Sequence, residues 1–308
     1  MAWTLDAPTG TYKDHALSTK IRMQAVEDTM VMKFLTPEPG YGKRRGQSVT
    51  ITRVLQLPRA ARVGELDSLP TGRPPIQTKS LAVSEWGFKI PMTEFEDNLT
   101  YFNLDGPFNS MLRDQIAVTM DDMAASALKT TPYKFIPALA GSVFDTDGTP
   151  STLSDKNLDV SDLRLIRDEL RRLKVPYFRG GKYIGILSTT AARGIKNDPE
   201  YKDWIAPTSS QPIMDGQLKD IEGFMLFESN NAVSFDDTVG ASTTTGEAIF
   251  FGMDPGFLAV VQNPELRISG PLPDDLGRTR YLGWVGTIEA GLTWETAALS
   301  RVIHVTSS

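Results

Sequence analysis

The chain has no cysteine and only two histidines among its 308 residues. The first absence excludes disulfides, thiol nucleophiles and cysteine metal sites together, and it agrees with synthesis in a reducing cytoplasm. The second leaves His15 in the N-terminal segment and His304 near the C-terminus, both in stretches that read as disordered ends. That is a poor basis for acid–base work or metal binding. No apolar run approaches the roughly 18 residues of a membrane span, so no membrane partner is expected. The opening MAWTLDAPTG lacks the basic-then-apolar pattern of a signal peptide. Motifs with a mechanism are missing too: no GxSxG elbow, HExxH or Walker A occurs. Gly180-Gly181-Lys182 has the wrong spacing for a phosphate loop and precedes a strand, so it reads as a turn. The paired acids Asp121-Asp122, Asp236-Asp237 and Asp274-Asp275 read as solvated, because adjacent residues on a helix diverge by about 100° and the other pairs sit in loops. No catalytic residue, cofactor or metal is therefore expected, and the chain does not read as an enzyme.

What is present is an ordinary globular composition, 40% hydrophobic and 23% charged, on a length that suits about two domains. Charge is unevenly placed. Residues 1–63 hold ten Lys/Arg against five Asp/Glu; from chain totals of 32 and 38, the remainder carries 22 against 33. A head of +5 on a body of -11 fits contact with nucleic acid, with the acidic body of a neighbouring copy, or an ordinary solvated surface.

The most readable stretch runs from Asp159 to Trp204. DVSDLRLIRDELRRLK predicts a helix with Asp159 as N-cap and Asp162 in its first turn. Leu163, Ile166, Leu170 and Leu173 form its buried stripe, while Arg164, Asp168 and Arg172 share the wet face. Tyr183–Leu187 is nearly all apolar and reads as a strand buried on both faces. Ser188 then opens a second helix, AARGIKNDPEYKDW.

Elsewhere LSTKIRMQAVEDTMVMKFL accommodates a short helix from about Ser18, in a segment that reads equally as a packed arm or a frayed end. Val49, Ile51, Leu55 and Leu57 alternate as in a half-buried strand, and Trp86, Phe88 and Ile90 do the same. About twenty residues rich in Pro, Gly and charge separate these strands, predicting an extended hairpin that projects and lies on a partner. MTEFEDNLTYF predicts a short helix, and a long one follows Pro107 with Leu112, Ile116, Met120, Met123 and Ala127 along one face. GSVFDTDGTPSTLSDKN and APTSSQPIMDGQ read as loops, and FDDTVGASTTTGE as an exposed turn. IEGFMLFES, EAIFFGM, GFLAVVQNPELRIS and YLGWVGTIEAGLTW read as strands, the last returning to the first domain.

This order of parts, with RGGKYIGILSTTAARGIKNDPEYKDW, IEGFMLFES and GEAIFFGMDPGFLAVVQ, resembles the major capsid proteins of tailed bacteriophages, nearest to the N4-like phages. The likeness covers roughly residues 158–294 and rests on part order before that. It implies an α+β, HK97-like capsid fold: an N-terminal arm (1–46), an extended β-hairpin loop (47–92), a peripheral domain (93–135 with 281–308) containing a spine helix (107–130), and an α/β axial domain (136–280). It further implies a virion shell subunit that assembles through hexamers and pentamers in the host bacterial cytoplasm and encloses double-stranded DNA bound without sequence specificity. Portal, scaffold and decoration proteins are the further partners. Only some 46 residues precede the hairpin, so a scaffold is expected to be separate or absent. The intersubunit contact residues expected from charge are Lys43, Arg44, Arg45, Arg59, Arg62, Glu65, Asp67 and Arg73. An encapsulin-like compartment with protein cargo, or a soluble α/β ligand-binding protein or enzyme, are the alternatives.

Overall fold

The computed structural model describes residues 23–38, 44, 46–63, 68–99, 105–201, 220–231, 233–236, 245–270 and 276–306. Residues 23–30 run without regular structure into a one-turn 3-10 helix, Val31–Phe34, so within the expected helical stretch the described residues hold only that turn and no α-helix. The two-residue strand β1 (Thr36–Pro37) follows. β2 (Ser48–Val54) and β3 (Ile76–Ala82) form an antiparallel ribbon, and β4 (Glu85–Thr93) continues into the short helix α1 (Glu94–Leu99). α2 (Asp105–Lys129) carries Pro107 in its first turn, as expected, and its 25 residues span about 37 Å.

β5 (Lys134–Ile136) and β6 (Val143–Asp145) come next; β6 lies inside a stretch expected to be all loop. α3 (Val160–Arg172) begins with a full capping box, in which Asp159 accepts from the Asp162 amide and Asp162 accepts from the Asp159 amide. β7 (Tyr183–Ser188) leads directly into α4 (Thr189–Asn197), with Ser188 accepting from the Ala191 amide as N-cap. The expected single helix over 191–204 is broken at Asp198, because Pro199 disfavours the helical conformation there; residues 199–201 are again helical, and 202–204 lie outside the described residues. β8 (Phe224–Ser229), β9 (Ala248–Phe251), β10 (Gly256–Ile268), β11 (Thr279–Leu292) and β12 (Val302–Val305) complete the chain. Phe178 to Lys182 turn tightly over Gly180 and Gly181, both at positive φ, which is the turn read from the sequence.

Among the described residues three sheets result. β1-β10-β11-β4 form one, β6-β5-β12-β9-β7-β8 the second, and β2-β3 the third. The inner strands of the six-stranded sheet, β5, β12, β9 and β7, are buried on both faces, while its edges β6 and β8 are partly exposed. On one face Tyr183, Leu187, Phe224, Phe250 and Ile303 meet Leu163, Ile166 and Leu170 of α3 and Ile195 of α4. Each of the three α3 side chains is fully buried, contributing about 1.5–3 kcal/mol apiece. On the other face Ile184, Ile186, Ile249 and Phe251 meet Leu112, Met120 and Met123 of α2, with Trp284 and Ile288 of β11 beyond. Gly185 is needed at the crossing: a Cβ there would lie 2.6 Å from the Phe250 ring and 2.8 Å from Leu226 Cδ2.

Strand pairing cuts across the boundaries expected from sequence. β10, within the expected axial segment, pairs with β11 in the four-stranded sheet. β12, within the expected peripheral segment, pairs with β9 and β5 in the six-stranded sheet. The hairpin also differs from expectation. The return strand of β2 is Ile76–Ala82, whereas Trp86, Phe88 and Ile90 belong to β4 and pair with β11. IQTKSLA has little apolar alternation of its own, and its pairing comes from β2 rather than from its composition.

Candidate assembly surface

The described part of the N-terminal segment packs on its own chain. Val31 and Leu35 are buried against α2, and Phe34 meets Phe251, Phe178 and Phe227 at ring distances of 5.3, 5.5 and 5.9 Å. The Met32 amide donates to Asp121 Oδ1 at 2.9 Å. Asp122 accepts instead from Asn231 Nδ2 at 2.7 Å and Ser234 Oγ at 2.6 Å. The two acids diverge as expected, but they are not solvated. Asp121 is buried, which pushes its carboxyl up despite the backbone amides of Met32, Met30 and Val31 that hold it down. Asp236 is half-buried, and Asp237, Asp274 and Asp275 lie outside the described residues. Of the segment read as an exposed turn, Phe235, Thr245 and Glu247 are buried, and 237–244 lie outside the described residues.

His304 corrects a second expectation. It lies in β12 rather than in a disordered end, because the flanking Val302, Ile303 and Val305 are buried in both cores. Its Nδ1 accepts from Lys134 Nζ at 3.0 Å, and its Nε2 sits 3.2 Å from Glu247 Oε1. Glu247 also pairs with Lys129, the last residue of α2. Burial alone would raise the Glu247 carboxyl, yet His304 and Lys129 hold it down to about 2. Burial and the charges of Lys134 and Lys129 push His304 below its usual value, so the ring is neutral at pH 7. This cluster is closed off and has no open face for a substrate. His15 lies outside the described residues, and among the described residues no group of acidic or histidine side chains has metal-site geometry.

The ribbon is the part least tied to the body. Its strands pair without a break from Ser48↔Ala82 to Val54↔Ile76, and the Leu55 amide adds a bond to the Pro75 carbonyl at 2.9 Å. The inward side chains Val49 and Ile51, with Leu81, rest on Phe257 and Ala259 of β10. Lys79 pairs with Glu295, and Lys174 Nζ reaches Gln56 Oε1 at 3.4 Å. Beyond Leu55 the chain has no regular structure among its described residues until Ile76, and Val54, Leu57, Leu69 and Ile76 are 60, 50, 76 and 63% exposed. Val54 and Ile76, paired across the ribbon, make an exposed apolar pair at its outer end.

Of the expected contact residues, Arg59, Arg62 and Arg73 are exposed on this connection, and none pairs with a described acid. Arg44 is exposed in a turn at φ 67°, away from regular structure. Lys43, Arg45, Glu65 and Asp67 lie outside the described residues. One residue escaped the sequence reading altogether: Arg53, buried on the inward face of β2. The signal was available, since Arg53 continues the inward set Val49, Ile51 at the strand's period of two.

No family model and no curated protein sequence matches the chain. Solved structures do. The chain superposes on a chain of the cyanophage Pam1 capsid with a TM-score of 0.78 at 12% identity, covering 99% of both chains. The chain has the HK97-like capsid fold. The capsid of Ralstonia phage GP4 matches with a TM-score of 0.69 at 12% identity, over 100% of this chain and 99% of that one. The capsid of cyanophage P-SCSP1u gives 0.70 at 9% identity, over 96% and 92%. Identities this low leave the fold as the shared property, and α2, the ribbon and the six-stranded sheet are its spine helix, extended loop and α/β body.

Proposed function

We propose that this chain is the major capsid protein of a tailed bacteriophage. The observation that carries the reading is end-to-end superposition on capsid chains, with the ribbon included rather than trimmed away. An isolated two-stranded ribbon is marginal in water, and this one carries exposed apolar and basic side chains on a long connection. Both features make sense when the ribbon lies on a second copy. The division into domains follows the sheets: β1, β4, β10 and β11 with α2 act as the peripheral domain, and the six-stranded sheet with α3 and α4 as the axial domain. Copies associate through hexamers and pentamers into an icosahedral shell in the bacterial cytoplasm, and the shell encloses double-stranded DNA. Portal, scaffold and decoration proteins join at particular places on that shell. The narrower placement near the N4-like phages rests on sequence likeness alone. The contact residues Lys43, Arg44, Arg45, Arg59, Arg62, Glu65, Asp67 and Arg73 are proposed on charge, with Arg59, Arg62 and Arg73 supported by their exposure.

Electron microscopy and sedimentation of the purified protein, alone and with co-expressed phage head genes, test the reading. Closed shells, tubes, sheets or ring-shaped capsomers are expected. A monodisperse monomer at every salt and protein concentration would overturn it. Nucleic acid recovered from nuclease-treated particles supports the DNA container, and a protein cargo in its place supports a compartment.

A further inference from the structure

Along β2, at the end of the ribbon that leads into the 55–75 connection and beside Trp294, lies a cleft of about 530 Å³ between β2 and the body, lined by Glu38, Thr52, Arg53, Asp254, Thr293 and Trp294. Arg53 is 7% exposed, and both its Nε and Nη2 are buried without a hydrogen-bond partner. Trp294 Nε1 is a second buried donor without a partner in the same place. Arg53 Cζ stands 5.7 Å from the Trp294 ring and Arg301 Cζ 4.7 Å from it. The unmet groups are therefore all donors, gathered around one indole.

An arginine at an inward strand position breaks the apolar alternation of β2, and a buried guanidinium without a counter-charge costs stability. The two acids of the cleft do not compensate it. Asp254 is held by Arg301 at 3.3 Å and by Thr293 Oγ1 at 3.3 Å, and Glu38 makes no side-chain bond to Arg53. What the donor set lacks is a planar acceptor with two oxygens, for which a guanidinium fork is the natural mate.

We propose that the cleft is a socket for a carboxylate side chain supplied by a second copy of this chain, with Arg53 as its fork and Trp294 Nε1 as a further donor. Binding there would require a slight outward shift of the ribbon, since Nε and Nη2 are buried within the subunit. The second copy is favoured as the source by charge, because Arg53 belongs to the basic first 63 residues while the remaining residues carry 22 basic against 33 acidic groups. It is favoured also by place, since the cleft adjoins the exposed connection of residues 55–75. The inference rests on the assembly reading above and names one contact within it.

The test compares wild type with Arg53→Met and Arg53→Lys for assembly yield by sedimentation and for subunit melting. A socket for a partner predicts that Arg53→Met melts at the wild-type temperature or above, because an uncompensated buried charge is gone, while assembly yield falls at least tenfold. Arg53→Lys keeps the charge without the fork and recovers part of the yield. Wild-type assembly with full yield from Arg53→Met overturns the socket and leaves the capsid reading standing. Failure of the wild type itself to assemble overturns both. Loss of fold in both variants makes Arg53 a purely internal residue and overturns the socket. A density map of assembled particles gives the second arm: an Asp or Glu of a neighbouring copy at Arg53 supports the socket, and Glu38 or Asp254 of the same copy in that place refutes it.

Discussion

The six-stranded sheet and the β2–β3 ribbon are both β-structure from one chain, yet they are stabilised in opposite ways. Every residue of β7 and β9 is buried, with α3 and α4 over one face and α2 over the other. The ribbon buries Val49 and Arg53 in β2, half-buries Ile51 and Leu81, and leaves its long connection exposed. The sheet therefore has its reasons for folding inside the subunit. The ribbon finds fewer of its reasons there, and the proposed assembly supplies the rest from a neighbour. A fold that joins the two can be robust as a monomer and still keep an unfinished surface for assembly.

Several variants sharpen or break that contrast. Phe250→Ala empties the sheet's centre beneath α3 and is expected to cost about 3–5 kcal/mol in denaturant melts. A loss below about 1 kcal/mol would mean the sheet is less self-sufficient than its burial implies. Acid is the next lever. The folded carboxyl of Glu247 lies near 2 against an ordinary 4.5, so the unfolded chain takes up the proton first and stability is lost as pH falls between those values. That loss amounts to about 3 kcal/mol. His304 is also pushed below its ordinary 6.5, so the decline begins below that pH. A melting temperature flat from pH 7 to 3 would break this part of the account. Asp159→Ala removes the α3 N-cap and is expected to cost about 1 kcal/mol by the same melts. Leu57→Ser on the exposed connection should change subunit stability by less than about 0.5 kcal/mol, and a larger loss would place Leu57 in a core.

The parts that were legible in the sequence are those whose packing is local. Asp159 and Asp162 announce the α3 cap, the Leu163, Ile166, Leu170 spacing announces its buried stripe, and Tyr183–Leu187 announces a strand covered on both faces. α2 was legible for the same reason, with Pro107 opening it and Leu112, Met120 and Met123 marking its face. What stayed hidden depends on partners far along the chain. IQTKSLA becomes a strand through β2, roughly thirty residues earlier. His304 reads as a terminal residue until Glu247 and Lys134 are brought beside it. Asp121 reads as one half of a solvated pair until the Met32 amide reaches it. The long polar connection between the ribbon's strands was legible, and its part in assembly is the reading proposed above. The inward position of Arg53 could be read from the strand's period of two, but not the cover over that face, which comes from Phe257, Ala259 and Trp294 far along the chain.

The central claim is that the ribbon's outer reach serves a neighbour and not the subunit's own core. Val54 pairs directly with Ile76, so residues 55–75 can be replaced by Asn-Gly, a turn suited to a two-residue hairpin. Loop length changes closure entropy slowly, so this excision should leave circular dichroism and the melting temperature close to wild type. Sedimentation of the shortened protein under conditions where wild type assembles then decides the matter. The account predicts folded subunits that form no regular shells. Normal shells would contradict it, and loss of the fold would show that the connection completes the subunit's own core.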